Sequence, residues 1–336
     1  RSRGGASGET KAVHHGEQLD LFGTRVEVFA IPGHTTGSAA YLVRGVLFLG
    51  DAAAQEIALT FDDAPTADGP IFTGEERSER ILRHLSDHSV AHAAFFVITG
   101  HIDIEGRKRL AKYADAGHFL ANHTHTHRWI HDQGVGSYCE DIMTANTILR
   151  QLKGFRPWFR YPFLDEGRSV GARDSIKTLL QKLNLSNGYV TVDNYDWYLN
   201  GLLRKAVASG KNIDVAKLRA AYVDHIWTSI RFYDSIAQST LGRSPKHVLL
   251  LHENDLTAYF LGDLLAHLKS HGWKVISPIE AYEDPIAQVI PDVLFNGQGR
   301  VAAIAHAKGA LRRDLVQESE DEAFLDALVE KNKIFE

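Results

Sequence analysis

Ile57-Ala58-Leu59-Thr60-Phe61-Asp62-Asp63 runs almost without a polar break into two adjacent carboxylates, and Ala64-Pro65 closes it. A short continuous run bounded by a turn reads as a strand buried on both faces, the habit of parallel sheets. The carboxylates then sit where the strand ends. Similar runs follow at Ala93–Ile98, Phe119–Ala121, Trp158–Tyr161, Tyr189–Val192, Val248–Leu251 and Lys274–Ile276. Helix candidates lie between them: Glu75–Asp87, Gly106–Ala116, Tyr138–Leu152, Ser169–Leu183, and a long helical insertion over residues 198–241. Strand–helix alternation of this kind predicts an α/β fold, a barrel or an incomplete one, with functional residues at the C-terminal strand ends.

Three regions differ in texture. Residues 1–54 open with a polar stretch and then give short strands at Arg25–Ile31 and Ala40–Leu49, a small β-rich appendage. Residues 55–285 carry the alternation, and residues 286–336 lose it before an acidic, helical segment at Asp314–Lys333. The whole chain of 336 residues is 44% hydrophobic and 24% charged, ordinary for a globular protein. Its formal charge of −5 leaves no electrostatic footprint for nucleic acid or an anionic membrane. No apolar run reaches membrane-spanning length. Cys139 is the only cysteine, which excludes an intramolecular disulfide and a cysteine-based zinc site. Residues 1–12 lack the apolar core of a secretory signal, so no signal peptide is expected within this sequence.

Five of these strand ends carry a polar cluster. Two adjacent carboxylates, Asp62 and Asp63, point in different directions, so one can bind a cation while the other accepts a proton. Alone, a solvated pair in a turn is the plainer reading. In Asn122-His123-Thr124-His125-Thr126-His127, a helix starting here would place His123 and His127 one turn apart on one face, suited to a divalent metal, with His125 out of phase. Arg160, in Arg160-Tyr161-Pro162-Phe163, can fix and ionise a carboxylate, although a lone arginine is more often a surface ion pair. Asp193-Asn194-Tyr195-Asp196-Trp197 offers a carboxylate to orient a histidine and an aromatic to line a sugar-sized cleft. His252 ends an apolar strand, a place usually held by a structural histidine. The four other clusters at equivalent positions make it a candidate general acid.

Taken in order, these five stretches resemble the motifs of the polysaccharide deacetylase family, the NodB-homology group or carbohydrate esterase family 4. The resemblance runs from about Glu56 to Asp284. It implies a distorted, incomplete (β/α) barrel and hydrolysis of acetyl groups from an acetylated glycan, on nitrogen or oxygen. By the same resemblance Asp63, His123 and His127 would hold one divalent metal, zinc before other cations. Asp62 would be the base toward the metal-activated water, and Arg160 would hold Asp62. His252 would be the acid, with Asp193 tuning it. The backbone N–H near Phe163 would serve the oxyanion, with Tyr161 and Trp197 toward the substrate. The family mostly works outside the cytoplasm, which implies a periplasmic or extracellular setting. The acidic run Glu253-Asn254-Asp255 after His252 departs from the usual context and is expected to contact substrate.

The appendage resembles something else. Ile31-Pro32-Gly33-His34 and Leu47-Phe48-Leu49-Gly50-Asp51 resemble two consecutive pieces of the metallo-β-lactamase fold, in which the residues matching His34 and Asp51 bind metal. The preceding His-x-His-x-Asp-His motif is absent, so the expectation is a fused fragment that packs on the main domain or mediates self-association as a homo-oligomer. Two alternatives stand beside the deacetylase: a metallo-β-lactamase-like hydrolase using His34 and Asp51, and a non-catalytic glycan-binding module.

Overall fold

The computed structural model describes residues 18–21, 24–30, 39–43, 46–49 and 54–336. His34 and Asp51 lie outside the described residues. Cα packing divides the chain into two compact units, residues 1–54 with 270–272, and residues 55–269 with 273–336. In the first, β1 (Gln18–Leu21), β2 (Thr24–Ala30), β3 (Ala39–Val43) and β4 (Val46–Leu49) form an antiparallel sheet in that order. The segment Ala40–Leu49, expected as one strand, is thus two, with Val43 paired to Val46.

The second unit is built on β5 (Glu56–Ala64), whose residues from Ile57 to Asp62 are all buried. That burial explains the continuous apolar run, since helices and neighbouring strands cover both faces. The other strands are β6 (Ala94–Val97), β7 (Phe119–Asn122), β8 (Phe155–Phe159), β9 (Ser186–Asn187), β10 (His247–His252) and β11 (Lys274–Ile276). They form one parallel sheet in the order β10-β5-β6-β7-β8-β9, with β11 also paired to β5. This is the incomplete (β/α) barrel, α/β in class. Tyr189–Val192 is not a regular strand: Val192 makes one isolated bridge to Leu249. The Val248 N–H donates to Thr191 Oγ1 at 2.8 Å, so a side chain takes a donor that a ladder would have used.

Ten helices accompany the strands among the described residues: α1 (Gly74–Asp87), α2 (Ile104–Asp115), α3 (Ile130–Leu149), α4 (Val170–Leu183), α5 (Asp196–Ala208), α6 (Val215–Leu241), α7 (Asp255–Ser270), α8 (Pro278–Tyr282), α9 (Gly299–Ala307) and α10 (Glu322–Lys331). Their starts follow capping chemistry. Thr73 and Glu76 close a reciprocal box at α1, and Asp103 and Ser169 accept backbone N–H groups at α2 and α4. The insertion is most of α5 and all of α6, and α9 packs against α6. Val301, Ala302, Ile304, Leu315 and Ile334 join the main core, so residues 286–336 are built into this unit.

The β5–β6 register decides the site. Phe61 pairs with Phe95 and Ala64 with Val97, so β5 carries one extra residue across that span. Asp62 and Asp63 lie in this bulge, which bends the strand and re-aims its side chains. Asp63 has φ 70, a left-handed conformation. The bulge, rather than simple alternation, separates the two carboxylates.

Candidate active site and metal centre

Asp63, His123 and His127 converge, their ligating atoms all within 4.8 Å of one another. His123 Nε2 and His127 Nε2 lie 3.6 and 3.4 Å from Asp63 Oδ1. His123 Nδ1 is 2.9 Å from the Arg160 carbonyl oxygen, which can only accept, so Nδ1 bears the proton and Nε2 keeps its lone pair. Asp63 Oδ1 is buried and has no hydrogen-bond partner among the described residues. An unpartnered carboxylate oxygen between two imidazole nitrogens fits a divalent cation. Burial, followed by the neighbouring His127, pushes His123 well below the usual imidazole range. Burial also lowers His127, against the pull of Asp63 and Asp62. Both effects favour the neutral, ligating form.

The histidines are not on a helix, contrary to the sequence expectation. Residues 123–129 form an irregular segment before α3, with Thr124 at φ 69 and His127 at φ 54. Asn122 Oδ1 accepts the Thr124 N–H at 2.8 Å, and Thr124 Oγ1 accepts the His127 N–H at 3.0 Å. These bonds hold a β-branched residue in a region that costs roughly 1–2 kcal/mol. Phe163 and Leu164 also have positive φ, so among the described residues five of the eight non-glycine positions of this kind (Asp63, Thr124, His127, Phe163, Leu164) gather here. Backbone strain concentrated in one place marks a functional site. His125 bonds Thr99 Oγ1 instead and stays outside the cluster.

Asp62 is held from the other side. Arg160 Nη1 lies 2.6 Å from Asp62 Oδ1, while Asp62 Oδ2 faces His123 Nε2 at 3.5 Å. The guanidinium is itself fixed: Nη1 donates to Thr60 Oγ1, Nε to Gly188 O, Nη2 to Tyr282 OH, and its plane rests 3.8 Å over the Phe96 ring. Burial pushes the Asp62 carboxyl up and the Arg160 charge opposes it. Thr60 and Tyr282 were not anticipated. Nothing in sequence spacing connects Tyr282 to a motif 122 residues away.

His252 pairs in register with Asp62 across β10 and β5. Its partner is Asp196, not Asp193. Nδ1 lies 2.6 Å from Asp196 Oδ1, and the His252 backbone N–H and the Asn254 side-chain Nδ2 both donate to Asp196 Oδ2. Burial lowers the imidazolium, but the Asp196 charge and hydrogen bond, then Asp63 and Asp62, outweigh it and lift His252 to about 10. Asp193 is buried beside the charge of Glu320 and is pushed well up, by burial first and Glu320 second.

Three further expectations need correction. Tyr161 is buried in a side cluster with Ile130, Tyr138, Ile142 and Phe159, so its side chain serves packing rather than the open cleft. Glu253 is fully buried and accepts from Tyr113 OH at 2.7 Å and from the Thr66 N–H at 2.6 Å. Asp255 pairs with Arg77 at 2.7 Å, so this acidic run braces the fold instead of meeting substrate. Phe163 and Trp197 are exposed, with side chains stacked on Trp129 and tilted against Tyr195 respectively.

Residues 50–185 match the family model described as polysaccharide deacetylase. The chain carries a polysaccharide deacetylase domain. A peptidoglycan-N-acetylglucosamine deacetylase from Bacillus cereus is 31% identical over 107 residues, 32% of this chain and 35% of that one. A hydroxyacylglutathione hydrolase from Photobacterium profundum is 48% identical over 44 residues, 13% of this chain and 18% of that one. The chain therefore spans 35% and 18% of the lengths of these two relatives. Among solved structures, a polysaccharide deacetylase from Bacillus cereus is similar at a TM-score of 0.49, with 20% identity and coverage of 66% of this chain and 91% of that one. In the deacetylase domain the matched stretch holds Asp62, Asp63, His123, His127 and Arg160 and ends before Asp196 and His252. Those two come to the site through β10 and α5. No helix among the described residues is long and apolar enough to cross a membrane.

Proposed function

We propose that this domain hydrolyses acetyl groups from an acetylated glycan, on nitrogen or oxygen, with one divalent metal, zinc first, as cofactor. The observation that carries the reading is Asp62 paired in register with His252 beside the Asp63–His123–His127 cluster. Those three side chains would hold the metal, which when bound supplies a Lewis acid for the acetyl carbonyl and makes water acidic near neutral pH. The remaining work falls to the chain's own groups. Arg160 occupies Asp62 Oδ1 and leaves Oδ2 free to take a proton from the attacking water. The Phe163 backbone N–H is the candidate donor to the carbonyl oxygen as it gains charge. His252, kept protonated by Asp196, gives its proton to the departing amine or alkoxide as the bond to the acyl carbon breaks. Acetic acid leaves carrying the second water proton, which it loses to solvent as acetate, and the first water proton rests on Asp62. Trp197 offers an exposed ring to the sugar beside α5.

The catalytic domain on this reading runs over residues 55–285, with 198–241 as an insertion and 286–336 as its extension. Residues 1–54 are an appendage, and self-association through it belongs to the same proposal. A metallo-β-lactamase-like second centre is the weaker reading, because the 48% match spans only 44 residues. An exported, periplasmic or extracellular setting suits a glycan substrate. The test is acetate release from N-acetylated and O-acetylated glycans and small acetyl esters, after chelation and with metals added back. Release that stops on chelation and returns with zinc supports the reading. Silence across every substrate and metal overturns it.

A further inference from the structure

Beside the metal-ligand cluster lies a second cleft of 390 Å³, lined by Trp129, Phe163, Asp165, Arg168, Asn296 and Arg312, within the range of small-ligand sites. The extension supplies Asn296 and Arg312, and the segments around β8 and α3 supply the rest. It begins one ring away from the cluster. Phe163 packs on His127 at 4.6 Å between centroids, and Trp129 stacks on Phe163 at 3.8 Å and 6°.

The cleft is polar in a specific way. The Arg168 guanidinium lies over the Trp129 ring at 5.3 Å, and that of Arg312 over the Phe295 ring at 4.6 Å. Rings beneath both planes hold the heads in place, and among the described residues neither donates a hydrogen bond to the protein; Arg168 Nε faces Asp165, whereas the N–H edge of Arg312 stays free. Asp165 is the one carboxylate lining the cleft. Its Oδ1 accepts from Gly167 and Asn296, and its Oδ2 is buried without a hydrogen bond, 3.5 Å from Arg168 Nε. Asp165 therefore balances Arg168, and Arg312 is left with no carboxylate partner among the described residues. A cleft with one uncompensated guanidinium and a buried acceptor suits a ligand that brings a carboxylate and hydroxyl groups together.

We propose that this cleft binds a carboxylate-bearing sugar residue next to the one being deacetylated, Arg168 and Arg312 taking the carboxylate and Asp165 Oδ2 taking a hydroxyl. The inference rests on the deacetylase reading and names the class of glycan it serves.

The test uses the full chain with zinc and two tetrasaccharides. One alternates N-acetylglucosamine with glucuronate; the other is its carboxyl-reduced counterpart. Acetate release gives kcat and KM, and calorimetry gives Kd. The acidic form is expected to bind about tenfold more tightly, with the gain in KM rather than kcat and with a preference that shrinks as salt rises. In the double variant Arg168→Ala/Arg312→Ala the ratio of the two Kd values falls to near one, and Arg312→Lys restores part of it. Equal Kd values for the wild-type protein, or a ratio that survives the double variant, overturn the proposal and leave the deacetylase reading in place. A preference in Kd without acetate from either sugar has the opposite meaning: the sugar-acid cleft stands and the deacetylase reading falls.

Discussion

Asp62 and His252 lie in register on adjacent strands, yet their surroundings treat charge in opposite ways. On β5 a buried carboxylate faces a guanidinium, and on β10 a half-buried imidazole faces a carboxylate. Burial works against the charged form in both places; at His252 the Asp196 partner outweighs it, whereas at Asp62 the Arg160 charge opposes it and the carboxyl stays raised. Paired ionisable groups with divergent environments are how one pocket carries a base and an acid together. The difference lies in what holds each partner. Arg160 is tied by Thr60, Gly188, Tyr282 and the Phe96 face, whereas Asp196 is tied by Asn194 Oδ1, which accepts its backbone N–H, and by the His252 N–H and Asn254 Nδ2, which donate to its carboxylate.

If Asp62 is the proton acceptor, Asp62→Asn cuts kcat/KM by roughly 10²–10⁴, and it also lowers the unfolding midpoint because Arg160 is left buried without its carboxylate. Acetate release and urea unfolding on one preparation check this, and a loss below tenfold breaks the assignment. Arg160→Met attacks the same end through stability. It strands a buried carboxylate and is expected to cost about 3–5 kcal/mol in urea unfolding, with Asp62→Asn/Arg160→Met recovering much of that. A double variant as unstable as the single one would mean Arg160 acts through packing on Phe96 rather than through charge.

The β10 end gives a smaller, pH-dependent effect. His252 sits at about 10 in the folded chain against the usual 6.5 for histidine, so its proton stabilises the fold fully below about pH 6.5. That stability is lost as pH rises through about 10. Asp196→Asn removes the main support, so the alkaline limb of the pH–rate profile moves to lower pH and activity at pH 8 falls about 10–100-fold. Asp193→Asn leaves the limb where it was. Reversed results would return the role to Asp193.

That choice between two aspartates shows where sequence stops being readable. The strand ends were legible because β5, β7 and β10 are buried on both faces, so each apolar run stops where its polar cluster starts. Asp193 and Asp196 follow one run, and only the turn separates them. Asn194 Oδ1 accepts the Asp196 N–H at 3.0 Å while Asn194 Nδ2 donates to Leu250 O, which sets Asp196 at the start of α5 against His252. His-x-x-x-His spacing suited a helix equally well. The left-handed φ values of Thr124 and His127 decided for a loop, and no periodicity encodes them. Tyr161 and Glu253 resembled site residues because they adjoin Arg160 and His252, but alternation along an extended segment turns a neighbour toward the core.

Phe163 extends the comparison to a position held by a ring stack instead of a charge. It sits at φ 57 with Trp129 stacked against it, so the pair, worth about 0.5–1.5 kcal/mol, opposes the left-handed penalty. Phe163→Ala loses the stack and keeps the penalty. Phe163→Gly loses the stack and the penalty together. Glycine normally costs about 0.5–1 kcal/mol relative to alanine inside regular structure. Here the order should invert, with Phe163→Gly the more stable variant by about 1 kcal/mol in urea unfolding. An alanine variant at least as stable as the glycine one would show that the backbone at Phe163 relaxes once the ring is gone. The left-handed turn would then be a product of the Trp129 stack rather than a constraint imposed by Arg160 and the strand end before it.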